Sequence, residues 1–285
     1  MSDYDLDSGP DPATFAAAAA EPEIDETVDD PVYVIGVGPG NPEYLLPRGD
    51  RALREADVVV GFTTVVEFIK ERTDADLLTC GYADEADALT EFAERVAAGE
   101  SGTAVTMGDP NHSGYQFVGK VQDAVEGAFA RRESQSRREG DDSEADPDRP
   151  TAGSRPIRVL PGISSLQMAA SRARTPMEDT EFVTLHKSGD LSEEMDRLAT
   201  AVGERHLLVL PRPYDRMPGD IAEFLLEYGA EPGLEALVLE KLTHSDETIH
   251  RFTLGELSEH AGGTDRSETP FSDLVVLAVR RPVSS

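Results

Sequence analysis

Short apolar runs alternate with segments of helical apolar spacing along the first half of the chain. Residues 32–37 form a near-continuous apolar run, which is typical of a strand buried on both faces of a parallel sheet. Residues 84–98 instead repeat their apolar positions at helical spacing, which predicts an amphipathic helix. The two patterns together predict strands at 32–37, 57–60, 77–80, 103–106 and 157–160, and helices at 46–56, 65–72, 84–98, 115–129 and 164–174. This alternation predicts an α/β domain with a mostly parallel sheet.

The pattern changes near residue 176, after which helices no longer separate the strands regularly. Residues 248–254 alternate between two unlike sets of side chains, as expected of an antiparallel strand with two different faces. The second half is therefore predicted to be a smaller α/β domain with a mixed sheet. Its predicted strands are 182–185, 206–210, 237–239, 248–254 and 274–279, and its predicted helices are 191–202, 221–228 and 256–260.

Two polar segments lie outside these patterned regions. Residues 1–31 contain ten acidic residues and no basic residue, which predicts a disordered acidic tail. Residues 131–155 contain six basic and seven acidic residues and no branched aliphatic residue, which predicts a flexible surface insertion. The tail is thus followed by an N-terminal α/β domain at 32–178, which carries the insertion, and by a C-terminal α/β domain at 179–285. A ligand cleft is expected between the two domains.

The composition is strongly acidic, with 26 Lys and Arg against 56 Asp and Glu and a formal net charge of −30. Nucleic acids and membrane surfaces, which are both anionic, are therefore not expected as partners. Lysine and tryptophan are scarce or absent, and the acidic excess extends well beyond the tail. These features favour adaptation to a salty cytoplasm, where ions screen the repulsion between like charges. A plain acidic protein with an acidic tail is the alternative.

Cysteine and histidine usage gives no sequence signal for a disulfide or a metal site. Cys80 is the only cysteine, which excludes an intrachain disulfide. Because no secretory signal pattern is seen either, a cytoplasmic protein is expected. The six histidines show no zinc-like spacing, so no metal is expected. No apolar stretch approaches the length of about 20 residues that crosses a bilayer.

Three glycine-rich loops each follow a predicted strand and precede a predicted helix. The first loop is Gly-Val-Gly-Pro-Gly-Asn-Pro at 36–42, the second is Met-Gly-Asp-Pro-Asn-His-Ser-Gly at 107–114, and the third is Leu-Pro-Gly-Ile-Ser-Ser at 160–165. Glycine permits positive φ and a close approach of the backbone to a ligand. Taken one loop at a time, Asp109 also fits an ordinary turn, and Ser164 or Ser165 also fits a helix N-cap.

The first loop does not match the common nucleotide-binding motifs. A dinucleotide fingerprint requires glycine at position 41, which is Asn41, and the second strand does not end in the acidic residue that binds a ribose. No Gly-Lys-Ser/Thr follows, which excludes a phosphate-binding P-loop. A nucleotide-binding oxidoreductase is therefore disfavoured, and a non-enzymatic interaction protein is a further alternative.

The joint order of the three loops resembles the tetrapyrrole methylase family, whose members methylate corrin and sirohaem precursors. The resemblance runs from residue 32 to about 280. Within the family, PGISSLQMAASRARTPMED at 161–179, TLHKSGDL at 184–191 and LEKLTHSDETIHRFTLGEL at 239–257 are most similar to the carbon-5 methyltransferases of cobalamin biosynthesis, which act on precorrin-7 or cobalt-precorrin-7. Members that methylate another corrin position, uroporphyrinogen III or the diphthine precursor share the three loops and are alternatives.

The resemblance implies S-adenosyl-L-methionine as the methyl donor. The positions that match cofactor contacts of the family are Pro39, Gly108, Asp109, Pro110, Ser113, Ser164, Ser165, Leu210 and Leu242. The positions expected to contact the substrate are Gly38, Gly40, His186 and Arg172. No catalytic base is assigned, because the methyl group of a sulfonium is already activated and its transfer needs little acid–base help.

The implied substrate is an anionic tetrapyrrole, which must enter a protein of charge −30. The sequence therefore predicts a binding region less acidic than the rest of the surface, supplied by some of Arg48, Arg172, Arg174, Lys187 and Arg212. A homodimer is expected, since relatives in the family are typically homodimers. The carbon-15 methylation and decarboxylation that accompany the carbon-5 step in the pathway would require a separate protein.

Overall fold

The apolar runs of the sequence form a five-stranded sheet in each of two units, within the part of the chain that the structure describes. The units are Met1–Ile163 and Ser164–Ser285. The computed structural model describes residues 12–16, 30–112, 114–138, 157–187, 189–213, 215–262 and 269–282. The ligand cleft expected between two domains stays a prediction.

The sheet of the first unit is entirely parallel in its described pairings. Its strands are β1 (Val32–Gly36), β2 (Val58–Phe62), β3 (Asp76–Cys80), β4 (Gly102–Thr106) and β5 (Ile157–Leu160). Their order across the sheet is β3-β2-β4-β1-β5. Val58, Val59 and Val60 are fully buried, as expected of a strand covered on both faces. The predicted parallel sheet is confirmed.

Helices cover both faces of this sheet. They are α1 (Pro12–Ala16), α2 (Pro47–Glu55), α3 (Thr63–Ile69), α4 (Glu85–Ala98) and α5 (Tyr115–Arg138). Helices α2 and α3 form one apolar cluster with the face of the sheet that carries Ile35. Helices α4 and α5 form another with the face that carries Val34. Successive residues of β1 therefore point into different apolar layers, as the side-chain alternation of a strand requires.

The strand order places the three glycine-rich loops at one edge of the sheet. The carboxyl ends of parallel strands lie at the same edge, and β1 lies between β4 and β5. The chain leaves β1 towards β2 but leaves β4 towards β5, so these two neighbouring strands connect in opposite directions. In open α/β sheets such a point is where ligands commonly bind.

Two segments that were predicted to be flexible contain helical structure. Helix α5 continues to Arg138, nine residues beyond its predicted end at 129, because no glycine or proline interrupts residues 130–138. Helix α1 lies within the predicted acidic tail, and the ring of Phe15 packs against that of Tyr115 at 5.7 Å. The remaining predictions for the tail and the insertion concern residues 1–11, 17–29 and 139–156, which lie outside the described residues.

The second unit contains the predicted mixed sheet. Its elements are α6 (Ser165–Ala173), β6 (Thr180–Thr184), α7 (Ser192–Ala201), β7 (His206–Leu210), α8 (Pro218–Glu227), β8 (Glu235–Glu240), β9 (Thr248–Thr253), α9 (Leu254–Ser258) and β10 (Val275–Val279). The strand order is β6-β7-β10-β8-β9. Among the described pairings of this sheet, β6 and β7 pair in parallel, and the others, including β8 with β9, are antiparallel. The two-domain α/β fold class is confirmed.

Helix α6 belongs to the second unit, although the sequence places the domain boundary after residue 178. The division falls after Ile163 because α6 packs against β7 and β10 of the second sheet. Its buried side chains include Leu166, Met168 and Ala169. The apolar side of this helix therefore completes the second unit rather than the first.

Candidate functional site

The first and second glycine-rich loops are joined by backbone hydrogen bonds at the carboxyl edge of the first sheet. Gly108 N donates to Gly38 O at 2.8 Å, and Gly38 N donates to Gly108 O at 3.3 Å. Just before this pair, Val37 N donates to Thr106 O at 2.9 Å. The parallel pairing of β1 and β4 thus passes into a short antiparallel bridge, which brings the two loops into direct contact.

The third loop joins the other two through contacts that only glycine allows. A Cβ placed on Gly162 would lie 2.0 Å from Gly108 O, and one placed on Gly36 would lie 2.3 Å from the same oxygen. Both contacts are to backbone, so no side chain can move aside to relieve them. Gly108 also has a φ of +65°, which disfavours other residues there. The backbones of the three loops therefore touch, because Gly36, Gly108 and Gly162 leave room for the contact.

The carboxylate of Asp109 links the second loop to the third. Its Oδ2 atom accepts a hydrogen bond from Gly162 N at 3.0 Å, and its Oδ1 atom accepts one from Asn111 N at 2.8 Å. The sequence left open whether Asp109 caps backbone amides or contacts a ligand. Both oxygens bind backbone amides, so the observed role of Asp109 is to hold two loops together.

The first loop is buried up to Gly40 and is followed by a capped turn. Gly38, Pro39 and Gly40 are all buried. The side chain of Asn41 accepts a hydrogen bond from Glu43 N at 2.9 Å and starts a short 3₁₀ turn at Pro42. Gly38, Pro39 and Gly40 therefore occupy fixed positions at the edge where the sequence expects ligand contacts.

The second loop carries Pro110 and His112 beyond Asp109. Pro110 is buried, and His112 N donates to Asp109 O at 3.1 Å. Burial lowers the pKa of the half-buried His112 imidazole, an effect that the charge of Asp109 partly offsets. The ring is therefore neutral at pH 7. Ser113, a predicted cofactor contact, lies outside the described residues.

Ser164 and Ser165 begin α6, where the sequence places them. The Oγ of Ser164 accepts from Gln167 N at 3.2 Å, and the side chain of Gln167 accepts from Ser164 N at 2.8 Å. This reciprocal pair is a capping box, which satisfies two amides at the start of the helix. The helix-cap interpretation of Ser164 is therefore correct, and Ser165 is the first helical residue.

In the second unit, Leu210 and Leu242 both lie at the carboxyl ends of strands. Leu210 ends β7, and its carbonyl accepts a hydrogen bond from Leu185 N at 2.8 Å. Leu242 is buried in the turn after β8, between Lys241 at φ +50° and Thr243 at φ +71°. Two departures into the left-handed region within one turn are uncommon for non-glycine residues. No motif in the sequence predicts this strain.

His186 and Arg172 have different surroundings in the second unit. His186 follows β6 and is exposed, and partial desolvation of its ring lowers the pKa, opposed by a hydrogen bond with the Pro211 backbone. Arg172 Nε donates to Glu247 Oε1 at 2.7 Å. The guanidinium predicted to meet a substrate carboxylate is thus already paired with a carboxylate of the protein.

Most of the other basic residues predicted to attract an anionic substrate already interact with a neighbouring side chain of the protein. Arg48 donates to the hydroxyl of Tyr33 at 3.0 Å. Lys187 pairs with Glu194 at 2.6 Å. Arg174 is exposed. Arg212 pairs with Asp215 at 2.5 Å. Recruitment of these groups by a substrate stays a prediction.

A family model described as Tetrapyrrole (Corrin/Porphyrin) Methylases matches residues 31–128 and 150–258, which is more than half of the chain. The match includes all three glycine-rich loops and the turn that contains Leu242. The chain belongs to the tetrapyrrole methylase family. The expected enzyme class, a methyltransferase, is confirmed by this membership.

Relatives within the family span most of the chain. A probable cobalt-precorrin-7 C(5)-methyltransferase of Methanocaldococcus jannaschii is 27% identical over 80% of this chain and 91% of that protein. A cobalt-precorrin-4 C(11)-methyltransferase of Priestia megaterium is 23% identical over 80% of this chain and 81% of that protein. The uroporphyrin-III C-methyltransferase of Thermus thermophilus, crystallised with S-adenyl homocysteine, has a TM-score of 0.57 at 20% identity, covering 88% of this chain and 92% of that one. Its likeness to this tetrapyrrole methylase supports the fold.

Cys80 and the carboxylates and histidines of the described residues are of the types found in nucleophilic and metal sites. Cys80 is buried, and burial raises the pKa of its thiol to about 11, so the thiolate is scarce at pH 7. Among the described residues, no cluster of His, Cys, Asp and Glu has the arrangement of a metal site. In the same part of the chain, no helix combines the length and apolar character needed to cross a membrane.

Proposed function

We propose that this tetrapyrrole methylase, an S-adenosyl-L-methionine-dependent C-methyltransferase, acts on carbon 5 of precorrin-7 or cobalt-precorrin-7 in cobalamin biosynthesis. The observation that carries the proposal is the convergence of three glycine-rich loops at a sheet edge, in a chain of this family. The position on the macrocycle rests on the similarity to the carbon-5 enzyme of M. jannaschii, which covers 91% of that protein.

The loops suit the methyl donor, which would supply a methyl group activated by its positively charged sulfur. Its polar groups need backbone and hydroxyl partners, and its bulk needs an edge free of large side chains. From the first and second loops we propose Pro39, Gly108, Asp109 and Pro110 as donor contacts, of which Pro39, Gly108 and Pro110 are buried. From the second unit, we propose Ser164, Ser165, Leu210 and Leu242. Ser113 completes the proposed set.

The protein's main contribution to the reaction is to hold two reactants in line. Methyl transfer from sulfur to an electron-rich macrocycle carbon is a displacement, and favourable positioning supplies up to about 7–11 kcal/mol of the barrier in such cases. Positioning of this kind requires rigid loops. The hydrogen bonds between Gly38 and Gly108, together with the one from Gly162 N to Asp109, make the loops rigid. The proposed reaction therefore relies on positioning and needs no catalytic base.

The acceptor is proposed to meet Gly38, Gly40, His186 and Arg172. A tetrapyrrole with several carboxylates favours arginine, which binds carboxylates bidentately. Because Arg172 already pairs with Glu247, a substrate carboxylate would have to share its guanidinium. His186 is exposed and neutral at pH 7, so it would serve as a hydrogen-bond partner rather than as a cation.

The cellular setting is part of the proposal. The charge of −30 and the scarcity of lysine suit a cytoplasmic enzyme that works at high salt. A homodimer is proposed because relatives in the family are typically homodimers. A separate enzyme would carry out the carbon-15 methylation and decarboxylation.

Calorimetric titration with S-adenosyl-L-methionine in high-salt buffer tests the donor. We expect saturable binding with one donor per chain. Titration with a nicotinamide dinucleotide is the control, and no binding is expected, because the first loop lacks the dinucleotide spacing. A protein that binds neither compound would contradict the methyltransferase proposal.

A different position of methylation within the same family is the second candidate. The carbon-11 enzyme of P. megaterium is nearly as similar to this chain, at 23% identity over 80% of it. Turnover of precorrin-7, precorrin-4 and uroporphyrinogen III at equal concentrations separates the candidates. The carbon-5 proposal predicts the highest kcat/KM on precorrin-7 or its cobalt form, and a preference for either other substrate would replace it.

A further inference from the structure

The turn after β8 holds two residues in a conformation that their side chains disfavour. Lys241 and Thr243 have φ values of +50° and +71°, and they flank the buried Leu242. The β-branched side chain makes Thr243 a genuine outlier. Strain of this kind persists only where the surrounding structure enforces it, and it is found most often at ligand clamps and active sites. The turn therefore requires a contact that holds it in this conformation, and we expect that contact to serve a function.

The carboxylate of Glu247 supplies that restraint. Its Oε2 atom accepts a hydrogen bond from Thr243 N at 2.7 Å, which fixes the strained residue directly. Its Oε1 atom accepts from Arg172 Nε at 2.7 Å, and Arg172 Nη2 lies 3.4 Å from Oε2. Glu247 is four-fifths buried, with 21% of its side chain exposed. One carboxylate thus binds both the strained turn and a residue 75 positions earlier in the sequence.

Arg172 lies in the last turn of α6, the helix that begins beside Ser164 and Ser165. The apolar side of α6 packs on β7 and β10, which fixes where the helix lies. The ion pair with Glu247 then joins the far end of the helix to the turn that contains Leu242. The ion pair therefore connects helix α6 to the turn at Leu242, which are both proposed to contact the methyl donor, within the second unit.

We propose that Glu247 is a positioning residue of this methyltransferase. It holds the turn at Leu242 and the helix that Ser164 caps in the arrangement that binds the methyl donor. This inference rests on the proposed function, and it assigns to Glu247 a role through Leu242 and α6 rather than through contact with the reacting atoms. The guanidinium of Arg172 and the amide of Thr243 both lower the pKa of Glu247, so the carboxylate is ionised at pH 7.

Glu247→Gln in the full-length chain tests the proposal. Glutamine retains an oxygen that can accept from Thr243 N but loses the charge that holds Arg172. We expect the Kd for S-adenosylhomocysteine to rise about tenfold, because small displacements of positioning groups have large effects. The KM for S-adenosyl-L-methionine should rise in parallel, while kcat at saturating donor stays within about threefold of wild type.

Asp246→Asn is the matched control. Asp246 lies in the same turn and pairs with Lys241 Nζ at 2.5 Å, but its side chain is 58% exposed. Exposed ion pairs contribute little, so we expect a Kd within about twofold of wild type. A comparable loss of affinity in D246N would show that any charge in this turn matters, and it would overturn the specific role of Glu247.

The outcomes separate the inference from the function on which it rests. Wild-type protein that fails to bind S-adenosylhomocysteine overturns the proposed function and the inference with it. Wild-type protein that binds, together with a folded E247Q that binds equally well, overturns the inference alone. Should E247Q not fold, Arg172→Gln keeps the bond between Glu247 and Thr243 and is expected to raise the donor Kd. Unchanged donor affinity in R172Q would then overturn the inference.

Discussion

The carboxylate of Asp109 is the most informative single side chain among the glycine-rich loops. It accepts one hydrogen bond from Asn111 N in its own loop and one from Gly162 N in the third loop. Both carboxylate oxygens must act as acceptors, since one of the two backbone amides would otherwise lose its hydrogen-bond partner. At the residue scale, the edge of the first sheet is therefore held by one acidic side chain and by glycines that leave space for backbone contacts.

Asp109→Asn should weaken both the loop structure and donor binding. Asparagine has only one acceptor oxygen, so either Asn111 N or Gly162 N is left facing an NH₂ group. Loss of such a partner costs about 1–3 kcal/mol in a partly buried setting. We expect a lower melting temperature and a higher Kd for S-adenosylhomocysteine, measured by calorimetry.

Asp84→Asn is the control for this change. Asp84 accepts a hydrogen bond from Gly81 N at 2.6 Å, in the loop after β3, which is not one of the three glycine-rich loops. It should leave the donor Kd unchanged. If D109N bound the donor as tightly as wild type, the link between the second and third loops would have no part in binding.

Gly162→Ala should separate the three loops. The added methyl group would lie 2.0 Å from Gly108 O, a backbone atom that cannot rotate away. Overpacking usually costs about 1–3 kcal/mol, and we expect the upper part of this range because the contact is with backbone. Thermal unfolding measures the loss. Gly233→Ala, with no atom within 4 Å of the added carbon, is the control. Equal melting temperatures for both variants would contradict the loop contact.

At the scale of elements, the strands and helices were predictable because they are local. The runs at 32–37 and 157–160 contain enough apolar residues to specify buried strands without knowledge of their neighbours. Helix α5 was predicted too short because its charged last turns carry no apolar repeat, although their residues favour helix. Helix α8 begins at Pro218, earlier than predicted, because proline is suited to a first helical turn.

The assembly of the site was less predictable than its parts. Each glycine-rich loop could be found from the sequence, but their contact depends on β1 lying between β4 and β5, an order that no local pattern encodes. The expectation that these loops act together came from the family resemblance. The pairing of Arg172 with Glu247 joins residues from distant segments, and nothing in either segment predicts it.

The link between α6 and the turn after β8 should depend on pH. Arg172 and the Thr243 amide lower the pKa of folded Glu247 below its ordinary value of 4.5. The unfolded chain therefore takes up this proton first as pH falls, so the contribution to stability is complete above that value and is lost as pH falls through the folded pKa. Urea unfolding of wild type and E247Q should show a difference in free energy at pH 7 that shrinks below about pH 4.5. A difference that does not change with pH would contradict an ionised Glu247.

At the scale of the whole molecule, the net charge of −30 opposes compactness. Ion pairs such as Arg95 with Glu100 and Arg205 with Glu181 reduce repulsion locally, but the basic residues are already counted in the net charge, so the excess of acidic residues remains. Like charges repel over about 10 Å at 0.1 M salt but over only about 3 Å at 1 M. The free-energy cost of the acidic surface therefore depends on the salt concentration. The contacts among the glycine-rich loops do not depend on it.

Stability should consequently rise with salt. We expect the melting temperature to increase between about 0.1 M and 2 M KCl, because screening removes repulsion from the folded state. A protein of near-zero net charge in the same buffers controls for effects of KCl on apolar burial. A melting temperature that rises no more than that of the control would contradict adaptation to a salty cytoplasm.

Transfer of a methyl group from S-adenosyl-L-methionine to a carbon of a tetrapyrrole can be followed with donor that carries an isotope-labelled methyl group. The chain is incubated with this donor and an acceptor, and NMR spectra of the isolated macrocycle locate the label. With precorrin-7 or cobalt-precorrin-7 as acceptor, we expect one labelled methyl group, bound to carbon 5. Label at another carbon would reassign the position of methylation, and the absence of label from every tetrapyrrole offered would show that the chain does not methylate tetrapyrroles.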